Sequence, residues 1–169
     1  MPSGIEIERK FFIEFPDTEI LDIKKKFEIL QIYLENGENG SQRRVRRIIE
    51  NGSTKYFYTE KIFRSAVVRE ENESEIDESE YNKLLLQKKS DCKPLEKCRY
   101  CFEYKNQLFE MDKYPFSDNF AILELELENP EQEIFFPEYI NIVKEVTGIS
   151  EYSNTTFANT NKFPEDSGD

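Results

Sequence analysis

The chain has 169 residues and a formal net charge of −12, from 23 basic and 35 acidic side chains. This length suits one domain, and a hydrophobic content of 37% provides enough apolar surface for a core. The sequence contains no histidine, which excludes Ser-His-Asp triads and histidine-based zinc sites. The acidic balance disfavours binding along a nucleic-acid backbone, which requires a basic surface.

The N-terminal residues lack the basic and apolar stretches of a secretory signal, and the apolar runs are too short for a transmembrane helix. We therefore expect a cytoplasmic protein that does not associate with a membrane. The three cysteines, Cys92, Cys98 and Cys101, lack a fourth ligand for zinc and are odd in number for a disulfide framework. We interpret them as reduced thiols without a functional role.

Alternation of apolar and polar residues dominates the sequence and predicts eight short strands, joined mostly by hairpins. The predicted strands are residues 5–14, 27–34, 42–50, 54–63, 66–75, 95–105, 107–114 and 120–128. Capping residues and helical spacing predict three helices, over residues 17–25, 78–89 and 137–147. A single domain is expected over residues 1–158, followed by a polar, disordered tail over residues 159–169.

Charged side chains recur at every second position of most predicted strands and therefore share one face. A half-buried sheet with a solvated charged face is the usual explanation of such a pattern. Arginine pairs such as Arg44 and Arg46 would repel one another on a free surface, whereas facing an anion they supply bidentate donors. The sequence thus favours a mainly β protein: an eight-stranded antiparallel barrel with a charged, hydrated interior and amphipathic helices packed outside.

The charged motifs occur in an order that resembles the CYTH superfamily, the triphosphate tunnel metalloenzymes. The N-terminal ExExK motif of that family stands here as Glu6-Ile7-Glu8-Arg9-Lys10. The later motifs follow in family order: QIYL (31–34), RVR (44–46), TEK (59–61), REENE (69–73), KCR (97–99), FEMD (109–112) and ELE (124–126). The segment from VTG to Phe157-Ala158 resembles the C-terminal closing segment of the family, so the match covers about residues 5–158.

This resemblance implies a tunnel that binds a linear triphosphate together with Mg²⁺ or Mn²⁺. The side chains implied to hold the phosphates are Lys10, Arg44, Arg46, Lys61, Arg69, Lys97 and Arg99. The side chains implied to bind the metal are Glu6, Glu8, Glu124 and Glu126, with Asp112 and Glu110 as second-site ligands. Catalysis is assigned to Glu6, Glu8, Lys10 and Glu126. Carboxylate oxygens suit these hard cations, which can bridge phosphoryl oxygens and orient a water for in-line attack.

Two features depart from the family pattern. Ile32 stands where the family usually has glycine, which changes a strand contact near the tunnel but leaves the charged set intact. The closing segment is poor in lysine, because Ser153, Thr155 and Thr156 accompany Asn154. A basic contact from this segment to the substrate is therefore not assured.

We expect hydrolysis of a linear triphosphate, in the first place inorganic tripolyphosphate, to pyrophosphate and phosphate. Two alternatives share the same tunnel: a class IV adenylate cyclase, and a thiamine, nucleoside or RNA 5′-triphosphatase. RNA is the least favoured substrate because the net charge of −12 repels a long polyanion. A module that binds polyphosphate without turnover is a further alternative, although binding alone would not require the acidic cluster. The expected partner is a small polyanionic substrate, and the oligomeric state stays open, with a homodimer as one option.

Overall fold

The computed structural model describes residues 4–164, and within them antiparallel strands and two short α-helices make up most of the regular structure. The strands are β1 (Gly4–Glu14), β2 (Ile23–Leu34), β3 (Gln42–Glu50), β4 (Ser53–Phe63), β5 (Val68–Ile76), β6 (Leu95–Tyr104), β7 (Gln107–Lys113), β8 (Phe120–Glu126) and β9 (Ile142–Glu145). The helices are α1 (Glu78–Leu84) and α2 (Asn154–Thr160). Short 3₁₀ helices cover Thr18–Ile20, Glu38–Gly40, Leu85–Gln87 and Ser150–Tyr152.

Eight strands form a closed barrel in the order β1-β5-β4-β3-β2-β6-β7-β8, and β8 returns to β1. The first strand closes the barrel because residues 4–7 pair with β5 and residues 8–14 pair with β8. Further along β1, residues 11–13 pair with β9, which continues the sheet where β5 has ended. The predicted eight-stranded antiparallel barrel is confirmed, with β9 as an additional strand.

Two tight hairpin turns occur where the sequence supplies residues that tolerate positive φ. Asn51 and Gly52, with φ of 50° and 77°, connect β3 to β4. Lys105 and Asn106, with φ of 50° and 61°, connect β6 to β7. Positive φ at both central positions matches the twist of the paired strands. These turns fix the register of each pair and therefore decide which side chains face the barrel interior.

The apolar outer face of the barrel is covered in two places. The outer side chains of β1, β6, β7 and β8 pack against the segment over residues 127–141, with Phe11, Leu123 and Ile140 in one buried cluster. On the other side, Tyr81 of α1 packs against Val45. The cover therefore consists of one helix and one irregular segment instead of three amphipathic helices.

A third apolar cluster, which we call the plug, fills part of one end of the barrel interior. Its members from the strands and from the C-terminal segment are Phe12, Tyr33, Leu95, Tyr114, Ile122, Val146, Tyr152, Phe157, Ala158 and Phe163. The rings of Phe157 and Phe163 meet edge to face with their centroids 5.2 Å apart. We call the plugged end of the barrel its upper end.

Two of the predicted helices are wrong. Residues 17–25 form only the turn Thr18–Ile20, after which β2 begins at Ile23. Residues 137–147 form no helix, because Ile142 and Val143 lie in β9. These β-branched residues suit a strand, and β1 offers them an unpaired edge beyond β5. The helix predicted over residues 78–89 is confirmed as α1 with a following 3₁₀ turn.

The helix α2 escaped prediction, although Ser153 is a good N-cap and accepts a hydrogen bond from the Thr156 N–H. The expected tail from residue 159 therefore begins inside a helix, and Phe163 is buried in the plug. Residues 165–169 of that tail lie outside the described residues. The three cysteines are free. In the described part of the chain, no helix is long and apolar enough to cross a membrane.

Gly148 provides a test of how the C-terminal segment packs on the barrel. Its φ is 73°, and a β-carbon there would lie 2.7 Å from the β-carbon of Ala66. Gly40 is a matched control, with φ of 75° and no described atom within 4 Å of such a β-carbon. We expect Gly148→Ala to lower the free energy of unfolding by at least about 1 kcal/mol more than Gly40→Ala. Urea unfolding measures both, and equal losses would show that the contact with Ala66 does not constrain the segment.

Candidate active site

Cross-strand register places the charged motifs on the inner face of the barrel. Directly opposite residues of antiparallel strands share a face, and Arg99 lies opposite Asp112, as Lys10 lies opposite Glu124. The same holds for Lys61 and Glu71. The predicted site residues all have this inward register: Glu6, Glu8, Lys10, Arg44, Arg46, Lys61, Arg69, Lys97, Arg99, Asp112, Glu124 and Glu126.

A central cavity of about 40 Å³ lies among these side chains, large enough for a few water molecules. The residues that line it are Glu6, Glu8, Lys10, Arg44, Arg46, Lys61, Arg69, Glu71, Lys97, Arg99, Glu110, Glu124 and Asn154. Asp112 and Glu126, although predicted for the site, do not line this cavity.

Two wider openings adjoin the central cavity and share lining residues with it. The upper mouth, about 350 Å³, lies between Lys10, Arg44 and Lys61 on the barrel and residues 146–155 beside the plug. The lower mouth, about 340 Å³, includes Arg46 and Arg99 at the opposite end. The charged interior is therefore a tunnel segment that is reached from both sides.

Asp112 fixes two of the predicted phosphate-binding cations. Its carboxylate accepts two hydrogen bonds from Arg99, at 2.8 and 2.9 Å, and lies 2.9 Å from Lys97 Nζ. Burial alone would raise the pKa of Asp112, but Arg99 and Lys97 hold it well below its usual range. Burial lowers the pKa of Lys97 to about 8, and Asp112 opposes that shift. Asp112 thus contacts cations where the resemblance implied a metal ligand.

A second group of cations is paired with carboxylates, Arg46 where the central cavity meets the lower mouth and Arg69 where it meets the upper mouth. Arg46 donates to Glu73 at 2.8 Å, and Arg69 lies 3.4 Å from Glu6 and 3.3 Å from Glu8. The Nε atoms of Arg46 and Arg44 are both buried, and neither has a hydrogen-bond partner among the described residues. These guanidinium groups therefore retain donors for a bound anion.

Several carboxyl groups crowd together at the first motif. Burial raises the pKa of Glu8 to about 8, and the charge of Glu124 adds to that shift. Burial and a hydrogen bond with Glu6 raise the pKa of Glu126 to about 7. Burial alone would raise the pKa of Glu124, but Lys10, Arg99 and Lys97 together lower it to about 2. The nearest cations, Arg69 and Lys61, lower the two raised pKa values but do not offset the effect of burial and of the neighbouring carboxyl groups.

The chemistry of this carboxyl group cluster, Glu6, Glu8 and Glu126, fits a hard divalent cation, which prefers carboxylate oxygens. Within residues 4–164, however, no three acidic or cysteine side chains converge closely enough to form a ready-made metal site. Binding of an ion would require these side chains to reorient and to lose protons. We therefore treat the metal as part of the proposal below.

The inward-facing polar residues absent from the predicted site include Asn154, Gln31 and Tyr33. Asn154 lines the cavity, and its Oδ1 accepts a hydrogen bond of 2.5 Å from the Tyr114 hydroxyl. Gln31 donates to the Tyr33 hydroxyl at 2.6 Å inside the barrel. Gln31 and Tyr33 alternate along β2, and this spacing could have revealed that both face the interior. Asn154 was missed because it lies in α2, a helix that the sequence analysis did not predict.

Solved structures with the same fold support the family resemblance. The chain is 29% identical to the inorganic triphosphatase NE1496, over 91% of this chain and 97% of that chain, with a TM-score of 0.56. It is 26% identical to the PH1012 protein from Pyrococcus horikoshii OT3, over 75% and 81%, with a TM-score of 0.54. A putative adenylate cyclase from Bacillus halodurans shares the fold at 18% identity over 78% and 84%, with a TM-score of 0.52.

No family model matches the chain. No curated protein matches it either. The closed antiparallel barrel and the structural neighbours nevertheless confirm the resemblance: the chain has the triphosphate tunnel fold of the CYTH superfamily.

Replacing Asp112 tests whether its carboxylate anchors Lys97 and Arg99. Asp112→Asn leaves two buried cations without their shared anion, and we expect a loss of about 3 kcal/mol in the free energy of unfolding. Glu110→Gln is the control, because Glu110 contacts Arg99 only at 3.3 Å and is partly exposed. Chemical denaturation would contradict the assignment if the two variants lost the same stability.

Proposed function

We propose that this protein is a metal-dependent triphosphatase that cleaves a linear triphosphate, inorganic tripolyphosphate first of all, to pyrophosphate and phosphate. The observation that carries the proposal is the buried ring of cations with unused N–H donors, in particular those of Arg44 and Arg46. A linear triphosphate carries the several negative charges that such a ring of cations can bind. The 29% identical structure named as an inorganic triphosphatase supports the same activity.

In this proposal, the cations bind the phosphate chain from all sides of the tunnel. Lys10, Arg44, Arg46, Lys61, Lys97 and Arg99 come from four different strands, so they surround a linear anion instead of contacting it from one side. Arg69 adds a contact from β5 at the upper mouth. A bound anion would pair with cations whose present ion pairs are long, such as Lys10, which lies 4.0 Å from Glu124. Charge-assisted hydrogen bonds of this type strengthen as charge develops on the transferred phosphoryl group.

Glu6, Glu8 and Glu126 are the residues that we propose to hold Mg²⁺ or Mn²⁺, with Glu124 beside them. The ion, when bound, supplies positive charge for the phosphoryl oxygens and lowers the pKa of a coordinated water. Glu124 has lost its proton at neutral pH, because its pKa is about 2. Its partner Lys10 lines the same cavity as Glu6, Glu8 and the other cations, and we propose that it orients the terminal phosphate.

An adenylate cyclase is the second candidate, supported by the fold shared with the Bacillus halodurans protein. A cyclase must bind a nucleoside, whereas an inorganic triphosphatase needs only the charged ring. The upper mouth is lined mainly by charged and small polar residues, with Phe63 as its exposed aromatic ring. Tripolyphosphate is therefore the substrate that the upper mouth favours.

Phosphate release from tripolyphosphate, ATP and thiamine triphosphate, each with Mg²⁺, Mn²⁺ or EDTA, tests the proposal. We expect release that requires a metal ion and is fastest with tripolyphosphate. Formation of cyclic AMP from ATP would establish the cyclase instead. Absence of any product, together with tight binding of tripolyphosphate in EDTA, would identify a binding module.

Two classes of substitution separate metal binding from substrate binding. Glu8→Gln and Glu126→Gln should lower kcat by about 100-fold or more with little change in tripolyphosphate affinity. Arg46→Ala should raise KM by about tenfold or more, because it removes charge-assisted hydrogen bonds to the substrate. Glu96→Gln, on the outer face of β6, is the matched control for the loss of one acidic charge. An unchanged rate in Glu126→Gln would remove this residue from the metal site.

Metal binding should release protons, because Glu8 and Glu126 retain protons near neutral pH. Their pKa values of about 8 and about 7 mean that both ionise between pH 7 and pH 9. We expect about one proton to be released for each Mn²⁺ bound at pH 7, and markedly fewer at pH 9. Calorimetry in two buffers of different ionisation enthalpy measures this number. Equal proton release at both pH values would place the metal on other ligands.

A further inference from the structure

The backbone pairing of β1 changes at the position that carries Lys10. The first residues of the strand pair with β5 and its last residues pair with β9, which leaves residues 8–10 between the two neighbouring strands. The carbonyl of Lys10 accepts a hydrogen bond from the Val146 N–H at 2.8 Å. The N–H of Lys10 donates to the side-chain Oγ1 of Thr147 at 2.9 Å. At Lys10, a hydroxyl group therefore takes the place of a backbone acceptor in a neighbouring strand.

Thr147 is linked in turn to an ion pair on the outside of the barrel. Its hydroxyl donates its one proton to Glu145 Oε2 at 2.7 Å, so the lone pairs of Oγ1 are free to accept from Lys10. The same carboxylate of Glu145 accepts two hydrogen bonds from Arg9, at 2.9 and 2.6 Å. We call Arg9, Glu145 and Thr147 the clamp.

The ion pair of the clamp is stronger than most pairs on a protein surface. Exposed ion pairs usually contribute little, but two parallel hydrogen bonds between a guanidinium and a carboxylate are an exception. Arg9 and Glu145 retain 29% and 39% of their side-chain exposure, so the pair is partly shielded from water. Arg9 also holds the pKa of Glu145 below its usual range, and the carboxylate is therefore ionised at neutral pH.

The clamp holds two parts of the tunnel next to each other. Lys10 lines the central cavity and the upper mouth, and its ion pair with Glu124, at 4.0 Å, is too long to fix the ammonium group. Thr147 belongs to the segment over residues 146–155 that forms one wall of the upper mouth. The link between Thr147 and Lys10 therefore sets where a tunnel cation stands relative to that wall.

We infer that the clamp is a positioning device, which holds the backbone of Lys10 so that its ammonium group meets the phosphate chain at the upper mouth. Glu145 and Thr147 are positioning residues: they act through the backbone of Lys10, and neither is among the residues that line the central cavity. The inference rests on the proposed function in treating Lys10 as a substrate-binding cation.

Hydrogen exchange at the amide of Lys10, followed by NMR in the full chain, tests whether the clamp holds this position. Thr147→Val keeps the shape of the side chain but removes the hydroxyl, so the Lys10 N–H should exchange about tenfold faster or more. Thr147→Ser is the matched control, because it keeps the hydroxyl, and it should leave the exchange rate within about twofold. Equal exchange in Thr147→Val and the unchanged protein would overturn the inference.

Binding of tripolyphosphate in EDTA tests the link from the clamp to the substrate. Titrations well below the unfolding temperature keep the folded fraction near one, so that Kd reports the position of Lys10 and not stability. We expect Kd to rise about fivefold or more in Thr147→Val and in Glu145→Gln, because a less ordered cation must be fixed on binding. Glu145→Gln provides this test alone if Thr147→Val does not fold.

Glu70→Gln is the matched control for the loss of an exposed ion pair. Glu70 lies 2.8 Å from Arg64, and its side chain is 37% exposed, close to the exposure of Glu145. It has no contact with the clamp, so Glu70→Gln should leave Kd within about twofold. A rise in Kd as large as that of Glu145→Gln would overturn the inference, because any surface ion pair would then have the same effect.

The inference and the proposed function can fail separately. Metal-dependent release of phosphate from tripolyphosphate, with the same Kd in Thr147→Val and Thr147→Ser, would support the proposed function and overturn the inference. A protein that binds tripolyphosphate but releases no phosphate would contradict the proposed function. A weaker affinity in Thr147→Val than in Thr147→Ser would still support the clamp in that case.

Discussion

The pairing of residues 4–7 of β1 with β5 closes the barrel, and the environment of every charged motif depends on it. In an open sheet the same side chains would be solvated, and their ion pairs would contribute little to stability. Closure places them in an interior where water is scarce, so each charge must find a partner or a ligand. Because β1 carries the first motif, the strand that closes the barrel also delivers Glu6, Glu8 and Lys10 to the tunnel.

Charge compensation inside the barrel is uneven, and this unevenness gives the tunnel its chemistry. Asp112 lies 2.9 Å from Lys97 and 2.8 Å from Arg99, whereas Lys10 and Lys61 lie 4.0 and 3.6 Å from their carboxylate partners. The loosely paired cations remain available to an anion, and the crowded carboxyls remain available to a cation. The net charge of −12 on the whole chain therefore coexists with a central cavity whose lining has more basic than acidic side chains, because the acidic surplus lies elsewhere.

The sequence alone predicts the barrel and its inner face because alternation is a local signal that register preserves. Arg44 and Arg46 could be assigned to the interior from their spacing, and the strands β3 and β4 were predicted almost to the residue. Residues 137–147 were misassigned because Ile140, Val143 and Val146 fit a helical period equally well. The strand forms because residues 142–145 can pair with the free edge of β1, which is a tertiary contact that the sequence pattern does not show. The sequence motif of Asp112 implied a metal ligand. Its ion pairs with Lys97 and Arg99 become visible only in the three-dimensional structure.

In the proposed function, the inward charges form a site for a linear polyanion and are not merely structural ion pairs. Calorimetric titration of the full chain with phosphate, pyrophosphate and tripolyphosphate, in EDTA, tests it directly. We expect one tripolyphosphate to bind per chain, and the affinity should rise steeply from phosphate to tripolyphosphate. Arg44→Ala should abolish the tight binding of tripolyphosphate. Absence of binding at every chain length, or equal affinity for all three anions, would contradict it.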